Sequence, residues 1–125
     1  MIEVQNLKKS FGEEMILKGI TTTFENGKTN LIIGQSGSGK TVFLKCLLGL
    51  FKPTEGKIVY DGSPYSELED EDQRHLREQM GMVFQGSALF DSMTVEENVM
   101  FPLRMFTKMR RAERRERANE VIERV

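Results

Sequence analysis

The sequence predicts an α/β fold, and two observations support this. A short run with alternating apolar residues occupies 2–7, and a second β-like run at 20–24, which is rich in threonine, stops at a Glu-Asn-Gly turn. A compact apolar run at 29–33 leads into a glycine-rich loop and then into a helix-like segment. We therefore expect two antiparallel strands, followed by a third strand, a loop and a buried helix.

The elements of the middle of the chain follow from local signals. Residues 41–50 carry apolar side chains on most helical faces and precede a Lys-Pro-Thr-Glu-Gly turn, so a buried helix is expected there. Residues 57–60 form the next predicted strand, which an Asp-Gly turn closes. The segment 66–80 is acidic early and basic late, a polarity that suits the macrodipole of a helix. A second apolar strand is expected at 82–84.

Two helices are expected in the last part of the chain. Thr94 and Glu97 have the spacing of a capping box, and the helix they open should end near Phe101 because Pro102 interrupts it. Residues 109–125 are expected to form a charged helix. Its predicted i,i+4 ion pairs are Glu113 with Arg117 and Glu120 with Arg124.

Composition limits the classes of partner. Eighteen Lys and Arg residues against nineteen Asp and Glu give a net charge of -1, so no overall field favours nucleic acid or an anionic membrane. The arginines of 110–117 alternate with glutamates, which is typical of a solvated helix. The single cysteine cannot form an internal disulfide, and no run approaches the roughly 20 apolar residues of a membrane span. A cytoplasmic location and no nucleic-acid partner are expected.

The loop at 34–41 is the strongest functional signal. Its sequence, GQSGSGKT, matches the phosphate-binding pattern G-x-x-x-x-G-K-[ST] at every fixed position. Glycines let the backbone wrap around a phosphate, so that N–H groups and the helix end face the anion. Lys40 would supply charge to the β and γ phosphates, and the Thr41 hydroxyl is an oxygen ligand suited to Mg²⁺. The residues expected to bind ATP with Mg²⁺ are Gly34, Gln35, Ser36, Gly37, Ser38, Gly39, Lys40 and Thr41.

The sequence on both sides of this loop resembles the ATP-binding subunits of ABC transporters. The similar segments are VQNLKKSFGEEMILKGI before the loop, and TEGKIVYDG and MVFQ after it, and the resemblance covers the whole chain. It implies a P-loop NTPase of the ABC ATPase type. The nucleotide-binding core and an N-terminal antiparallel β subdomain would occupy 1–85, and the start of the helical subdomain 86–125.

The resemblance also implies roles for residues outside the loop. Phe11 would stack on adenine, with an ordinary core or surface aromatic as the alternative. Ile16 and Val42 would lie against the nucleotide. Gln85 would be the glutamine of the Q-loop, which reaches Mg²⁺ and the attacking water, although a glutamine after a strand is by itself only a solvated loop residue. Lys40 and Gln85 are thus the candidate catalytic residues.

Three motifs of a complete ABC ATPase do not occur in these 125 residues: the L-S-G-G-Q signature, the apolar strand ending in Asp-Glu, and the switch histidine. The only histidine, His75, belongs to the charged helix and is expected at the surface. The acidic residues at 67–72 are explained by the start of that helix rather than by a metal site. We expect the chain to represent the first half of an ABC ATPase and to have no steady-state hydrolysis alone.

The segment GSALFDSMTVEENV, at 86–99, resembles Mla-type phospholipid-trafficking ATPases, which work with a membrane permease. The resemblance implies a permease contact through about 86–98, a second ATPase subunit in a homodimer, and a position on the inner face of the membrane. The apolar residues Ala88, Leu89, Phe90 and Met93 suit a protein contact, or alternatively the core of their own subdomain. A soluble non-transport ABC-type ATPase and a nucleotide-binding module without hydrolysis remain open. A P-loop kinase would leave Phe11 and Gln85 unexplained.

Overall fold

The fold begins with a long hairpin. In the computed structural model, which describes residues 1–86 and 88–125, strands β1 (Ile2–Phe11) and β2 (Glu14–Phe24) pair antiparallel and place Phe11 opposite Glu14. Both strands are longer than predicted, because their polar halves also enter the ladder. Strand β3 (Glu55–Tyr60) pairs with β1, and β4 (Ser63–Pro64) pairs with β3. The sheet order is β2-β1-β3-β4.

Helix α1 (Lys40–Leu47) covers this sheet and forms the core with it. Its apolar face buries three side chains that face the strands: Phe43, Cys46 and Leu47. The sheet contributes the buried side chains Val4, Leu7, Leu17, Ile58 and Tyr60. The Tyr60 hydroxyl donates a hydrogen bond to the carbonyl of Leu47, which ties β3 to the last turn of the helix. The predicted buried helix is confirmed, although it spans Lys40–Leu47 rather than 41–50.

Helix α1 ends at Leu47, and Gly49 in the turn that follows adopts φ +68°. A Cβ atom at this glycine would collide with the ring and hydroxyl of Tyr65, so both the backbone conformation and the lack of space require glycine. The N–H groups of Leu50 and Phe51 both donate to the carbonyl of Lys45, at 2.9 and 3.1 Å. The helix end therefore fixes the position of Phe51.

The acidic-to-basic segment predicted as one helix at 66–80 divides into two elements. A 3₁₀ turn spans Tyr65–Glu67, and helix α2 spans Asp70–Glu78. Gln73 reaches back across the break, and its Nε2 donates to the carbonyl of Leu68 at 3.0 Å. Three acidic residues still occupy the first turn of α2, as the macrodipole favours.

Two predicted strands are wrong. Residues 29–33 and 82–84 pair with no strand among the described residues. A strand needs a neighbour to satisfy its backbone groups, and apolar composition alone cannot supply one. Leu31 and Ile33 are 85% and 83% exposed, whereas Ile32 between them packs against the core.

The chain divides into two compact units, Met1–Met82 and Val83–Val125. In the second unit, helices α3 (Val95–Phe106) and α4 (Arg111–Glu123) pack on each other. The capping box at the start of α3 is confirmed: the Thr94 hydroxyl accepts from Glu97 N at 3.2 Å, and the Glu97 carboxylate accepts from Thr94 N at 2.8 Å. No helix in the described part of the chain is long and apolar enough to cross a membrane.

The predicted end of α3 near Phe101 is wrong, because the helix continues through Pro102 to Phe106. Proline removes one intrahelical hydrogen bond, but the turns on either side keep theirs, and Thr107 N closes the helix on the carbonyl of Leu103 at 3.2 Å. On α4, the pair of Glu120 with Arg124 is confirmed. The carboxylate of Glu113 instead accepts from Arg110 N at 2.6 Å, so it caps the helix rather than pairing with Arg117.

Candidate functional site

The loop at 34–41 leads directly into α1. Gly37 and Gly39 adopt φ +78° and +92°, the left-handed region that favours glycine. Gly39 is the residue before the first turn of α1, and its carbonyl accepts the first helical bond from Phe43 N at 2.8 Å. Glycines in the left-handed conformation before a helix direct successive N–H groups toward one side of the loop. These N–H groups form a concave site for anions.

The N-terminus of α1 presses against strand β2. A Cβ atom added at Gly39 would lie 2.9 Å from Cγ2 of Ile16 and 3.0 Å from Cδ2 of Leu17. Leu17 is buried and Ile16 is partly buried against the core. The hairpin and the helix therefore hold the loop between them, and Ile16 lies beside the loop.

Lys40 folds back over the loop. Its Nζ donates to the carbonyl oxygens of Gly34 and Gln35, at 2.7 Å each. An ammonium group has three donors, so these two bonds fix the charge against the loop and leave a third proton for a ligand. A point charge held in this way can meet the outer phosphates of a nucleotide.

The remaining residues of the loop are open to solvent. Residues 34–38 and Thr41 are exposed, and Val42 is partly buried and packs against the core beneath them. The hydroxyl of Thr41 is a hard oxygen donor in the first turn of α1. Magnesium in phosphate-transfer sites takes few protein ligands beside phosphate oxygens and water, so a single hydroxyl such as that of Thr41 fits its needs.

Phe11 lies at the tip of the hairpin and is 45% exposed. Its ring meets the ring of Phe51 edge-on, with centroids 5.3 Å apart and an interplanar angle of 75°. Lys9 Nζ lies over the Phe11 ring at 4.9 Å from its centroid and donates to the carbonyl of Lys52 at 2.8 Å. Phe11 is therefore not a core aromatic, and part of its ring remains open to solvent or a ligand.

Sequence reasoning missed Phe51 and Lys9. Lys9 lies two positions before Phe11 on β1, so strand alternation could have placed both on one face. No local pattern links Phe51 to Phe11, because their contact depends on how α1 ends and how the hairpin packs.

Gln85 belongs to the second unit and is exposed. Its role toward the phosphate loop therefore stays a prediction. Among the described residues, no three His, Cys, Asp or Glu side chains gather as a metal site. His75 is at the surface, as expected, and its ring lies near the carboxylates of Glu71 and Glu78 at 4.0 and 3.5 Å.

The loop before α3 is organised around the carboxamide of Asn98. Its Oδ1 accepts from Phe90 N at 2.8 Å, and its Nδ2 donates to the carbonyls of Phe90, Met93 and Thr94 at 3.2, 3.2 and 3.0 Å. The Phe90 ring leans on Phe101 with centroids 4.6 Å apart, yet Phe90 is 44% exposed. Ser87, in the segment predicted to contact a permease, lies outside the described residues.

Local contacts shift the pKa of several ionisable groups, among them Glu97 and Cys46. Hydrogen bonds from the backbone and hydroxyl of Thr94 lower the pKa of Glu97. Burial raises the pKa of the Cys46 thiol, which keeps it protonated and unreactive. The cysteine therefore acts as a core side chain.

A glycine-rich loop of this geometry, with a lysine folded over it at the start of a helix, defines a P-loop nucleotide-binding protein. Comparison with known sequences places the chain in one family within this class of P-loop proteins. The sequence profile described as "ABC transporter" matches residues 17–125, and the chain belongs to this family.

Curated relatives agree with the family. The chain is 42% identical over 115 residues to the probable ribonucleotide transport ATP-binding protein mkl of Mycobacterium tuberculosis, covering 92% of this chain and 32% of that protein. It is 46% identical over 113 residues to the L-cystine import ATP-binding protein TcyN of Bacillus subtilis, covering 89% of this chain and 44% of that protein. The chain thus spans less than half the length of these relatives.

Solved structures confirm the predicted fold class. The dimeric structure of MJ0796, a bacterial ABC transporter cassette, superposes with a TM-score of 0.85 at 35% identity, over 98% of this chain and 56% of that one. The same cassette in a post-hydrolysis state bound to ADP and Pi gives a TM-score of 0.83. The fold is that of the ABC ATPases, with antiparallel strands and helices.

Proposed function

We propose that this chain binds Mg-ATP through residues 34–41 as part of the ATP-binding subunit of an ABC transporter. The observation that carries the proposal is the arrangement of Lys40 at the start of a helix. Its ammonium group is fixed over a loop in which Gly37 and Gly39 have left-handed backbone conformations. Such a site offers N–H donors, a helix end and one positive charge to an anion. The solved cassette that holds ADP and Pi has this fold, which supports a nucleotide as the ligand.

Roles for single residues follow within the proposal. Lys40 neutralises charge on the β and γ phosphates, Phe11 stacks on the base, and Gln85 orients the attacking water. Ile16 and Val42 form the apolar side of the site. Magnesium, when bound, neutralises charge on the phosphate oxygens, and Thr41 and Gln85 are the residues proposed to hold it.

The subunit would work with a permease and a second copy of itself at the inner face of the membrane. The exposed Phe90 in the loop shaped by Asn98 supports a protein contact through 86–98. The MJ0796 cassette is dimeric in its solved structure, which supports pairing of ATPase subunits. The domain division is proposed as a core at 1–85 and the start of a helical subdomain at 86–125.

Phospholipid is the proposed cargo, on the resemblance of 86–99 to Mla-type ATPases. The names of curated relatives mention ribonucleotide, methionine and cystine, so the cargo depends on that one segment. Proteoliposomes containing the full-length protein and its permease would test it. ATP-dependent movement of a labelled phospholipid is expected, and movement of an amino acid or a ribonucleotide in its place would contradict the lipid assignment.

The nucleotide proposal is tested first with Lys40→Ala. The lysine meets exposed loop carbonyls rather than core side chains, so the variant should fold normally and lose most of its affinity for ATP in titration calorimetry. Lys108→Ala removes the same charge from an exposed position and serves as the control. Equal affinities in Lys40→Ala and wild type, with matching circular dichroism, would rule out the phosphate site.

A further inference from the structure

We propose that Phe51 is a positioning residue for the base of the nucleotide. It would act by holding the Phe11 ring in place, and the inference therefore rests on the proposed stacking of Phe11 on adenine. Phe51 does not belong to the phosphate loop and follows the opposite end of α1.

The first support is the contact between the two rings. An edge-on pair with centroids 5.3 Å apart lies in the favourable range for aromatic side chains. Phe51 is partly buried against the core, whereas Phe11 is 45% exposed at a hairpin tip. The anchored ring therefore supports the exposed one from one side.

The second support is the way Phe51 is itself held. Its N–H donates to the carbonyl of Lys45, and the turn that delivers it requires glycine at 49. The ammonium groups of Lys9 and Lys45 lie 5.9 and 5.2 Å from its ring centroid. The ring thus has a defined position before any ligand arrives.

Lys9 limits the side from which a base can approach. Its ammonium lies over Phe11 and Phe51 together and is tied to the carbonyl of Lys52. A base that stacks on Phe11 must use the remaining exposed part of the ring. Phe51 and Lys9 together therefore preorganise one stacking surface, which lowers the ordering cost of binding.

Helix α1 connects the phosphate loop to the segment that carries Phe51. Its first turn carries Lys40 and Thr41 at the phosphate loop, and its last turn sets Phe51 behind Phe11. The helix has eight residues and is about 12 Å long. One rigid element would therefore position both the phosphate site and the base-stacking ring.

The experiment compares ATP with inorganic tripolyphosphate, which has no base. Phe11→Ala should weaken ATP binding roughly 5- to 100-fold, the range for loss of one base–aromatic stack. Phe51→Ala should weaken it about 2- to 10-fold, the range for one aromatic pair. Neither variant should change tripolyphosphate binding, and Phe51→Tyr should restore ATP affinity. Leu50→Ala, at the neighbouring exposed position, should bind like wild type.

The double variant gives the sharpest result. If Phe51 acts through Phe11, the combination of Phe11→Ala and Phe51→Ala should bind ATP no more weakly than Phe11→Ala alone. Additive losses, or a parallel fall in tripolyphosphate affinity, would show that Phe51 supports α1 generally and would overturn the inference. If Phe51→Ala fails to fold, Phe51→Leu replaces it, because leucine keeps most of the apolar volume without the ring. The same comparison of ATP and tripolyphosphate affinities then tests the inference.

Failure of the inference is separable from failure of the proposed function. Normal ATP binding in Phe51→Ala with weakened binding in Phe11→Ala would overturn the inference and leave base stacking intact. Normal binding in both variants would overturn base stacking and the inference together. Lys40→Ala reports on the phosphate site in either case.

Discussion

Asn98 holds Phe90 by both of its backbone polar groups, accepting from its N–H at 2.8 Å and donating to its carbonyl at 3.2 Å. The same carboxamide nitrogen also reaches Met93 and Thr94, so one side chain on the first turn of α3 defines the preceding loop. The Phe90 ring is supported from beneath by Phe101. A half-exposed aromatic on a defined loop has the properties of an interface anchor.

Asn98→Ala should destabilise the second unit by about 1–2 kcal/mol, because it leaves several loop groups without their partner. Asn98→Asp should be destabilised as well, because a carboxylate oxygen would replace the donor that faces the carbonyls of Phe90, Met93 and Thr94. Thermal unfolding followed by circular dichroism provides the comparison, with the exposed Asn119→Ala as control. A variant as stable as Asn119→Ala would show that the loop does not depend on this carboxamide.

Phe90→Ala should weaken capture by the permease and leave ATP affinity near that of wild type. The reason is that Phe90 is 44% exposed, although its ring contacts the ring of Phe101. Pull-down of the permease with full-length protein, together with thermal stability, provides the readout. A loss of about 3–5 kcal/mol in stability with unchanged capture of the folded protein would identify a core residue instead.

Gly39→Ala should reduce ATP affinity and also lower stability. Its φ of +92° disfavours any L side chain, and the added Cβ would meet Ile16 at 2.9 Å. Gly27→Ala is the matched control, because Gly27 also has a positive φ, +70°, but faces open space. The free energy of unfolding of the control should fall by about 1 kcal/mol, because of the backbone conformation alone. Equal losses in the two variants would show that the crowding against Ile16 has no effect.

The 125-residue chain alone should show no steady-state ATP hydrolysis. The carboxylate that follows the Asp-Glu strand and the signature of a partner subunit do not occur in its sequence, and phosphoryl transfer needs both water orientation and charge stabilisation. Phosphate release from purified chain provides the measurement. Turnover that survives repeated purification and disappears in Lys40→Ala would disprove this expectation.

The capping box of α3 should lose its effect in acid. Hydrogen bonds from Thr94 lower the pKa of Glu97 in the folded protein, so its contribution to stability is present above the unfolded value, about 4.3, and is lost as pH falls through the lower folded pKa. The difference in melting temperature between wild type and Glu97→Ala should therefore shrink below about pH 4. Glu116→Ala, at an exposed position on α4, serves as control. A difference that stays constant from pH 7 to 3 would contradict the assigned cause.

Local signals predicted the parts of the structure that local forces determine. The Thr94–Glu97 capping box, the buried face of α1 and the glycine-rich loop each depend on residues a few positions apart. The acidic residues at 70–72 likewise occupy the first turn of α2, although this helix begins four residues later than predicted.

Predictions failed where a partner distant in sequence decides the outcome. The run at 29–33 has the composition of a strand but has no neighbour among the described residues. The pairing of Phe11 with Phe51 joins a hairpin tip to a helix end, and no periodicity encodes such a contact. Pro102 does not end α3 as predicted, because packing between α3 and α4 maintains the helix beyond it.

The exposed pair Leu31 and Ile33 should govern how the purified chain behaves in solution. Both side chains are more than four-fifths exposed, and the backbone between them joins no ladder in the described residues. An unpaired apolar segment of this kind is a template for intermolecular β pairing. Concentration and sulfate salts, which favour burial of apolar surface, should therefore drive the isolated chain toward aggregates.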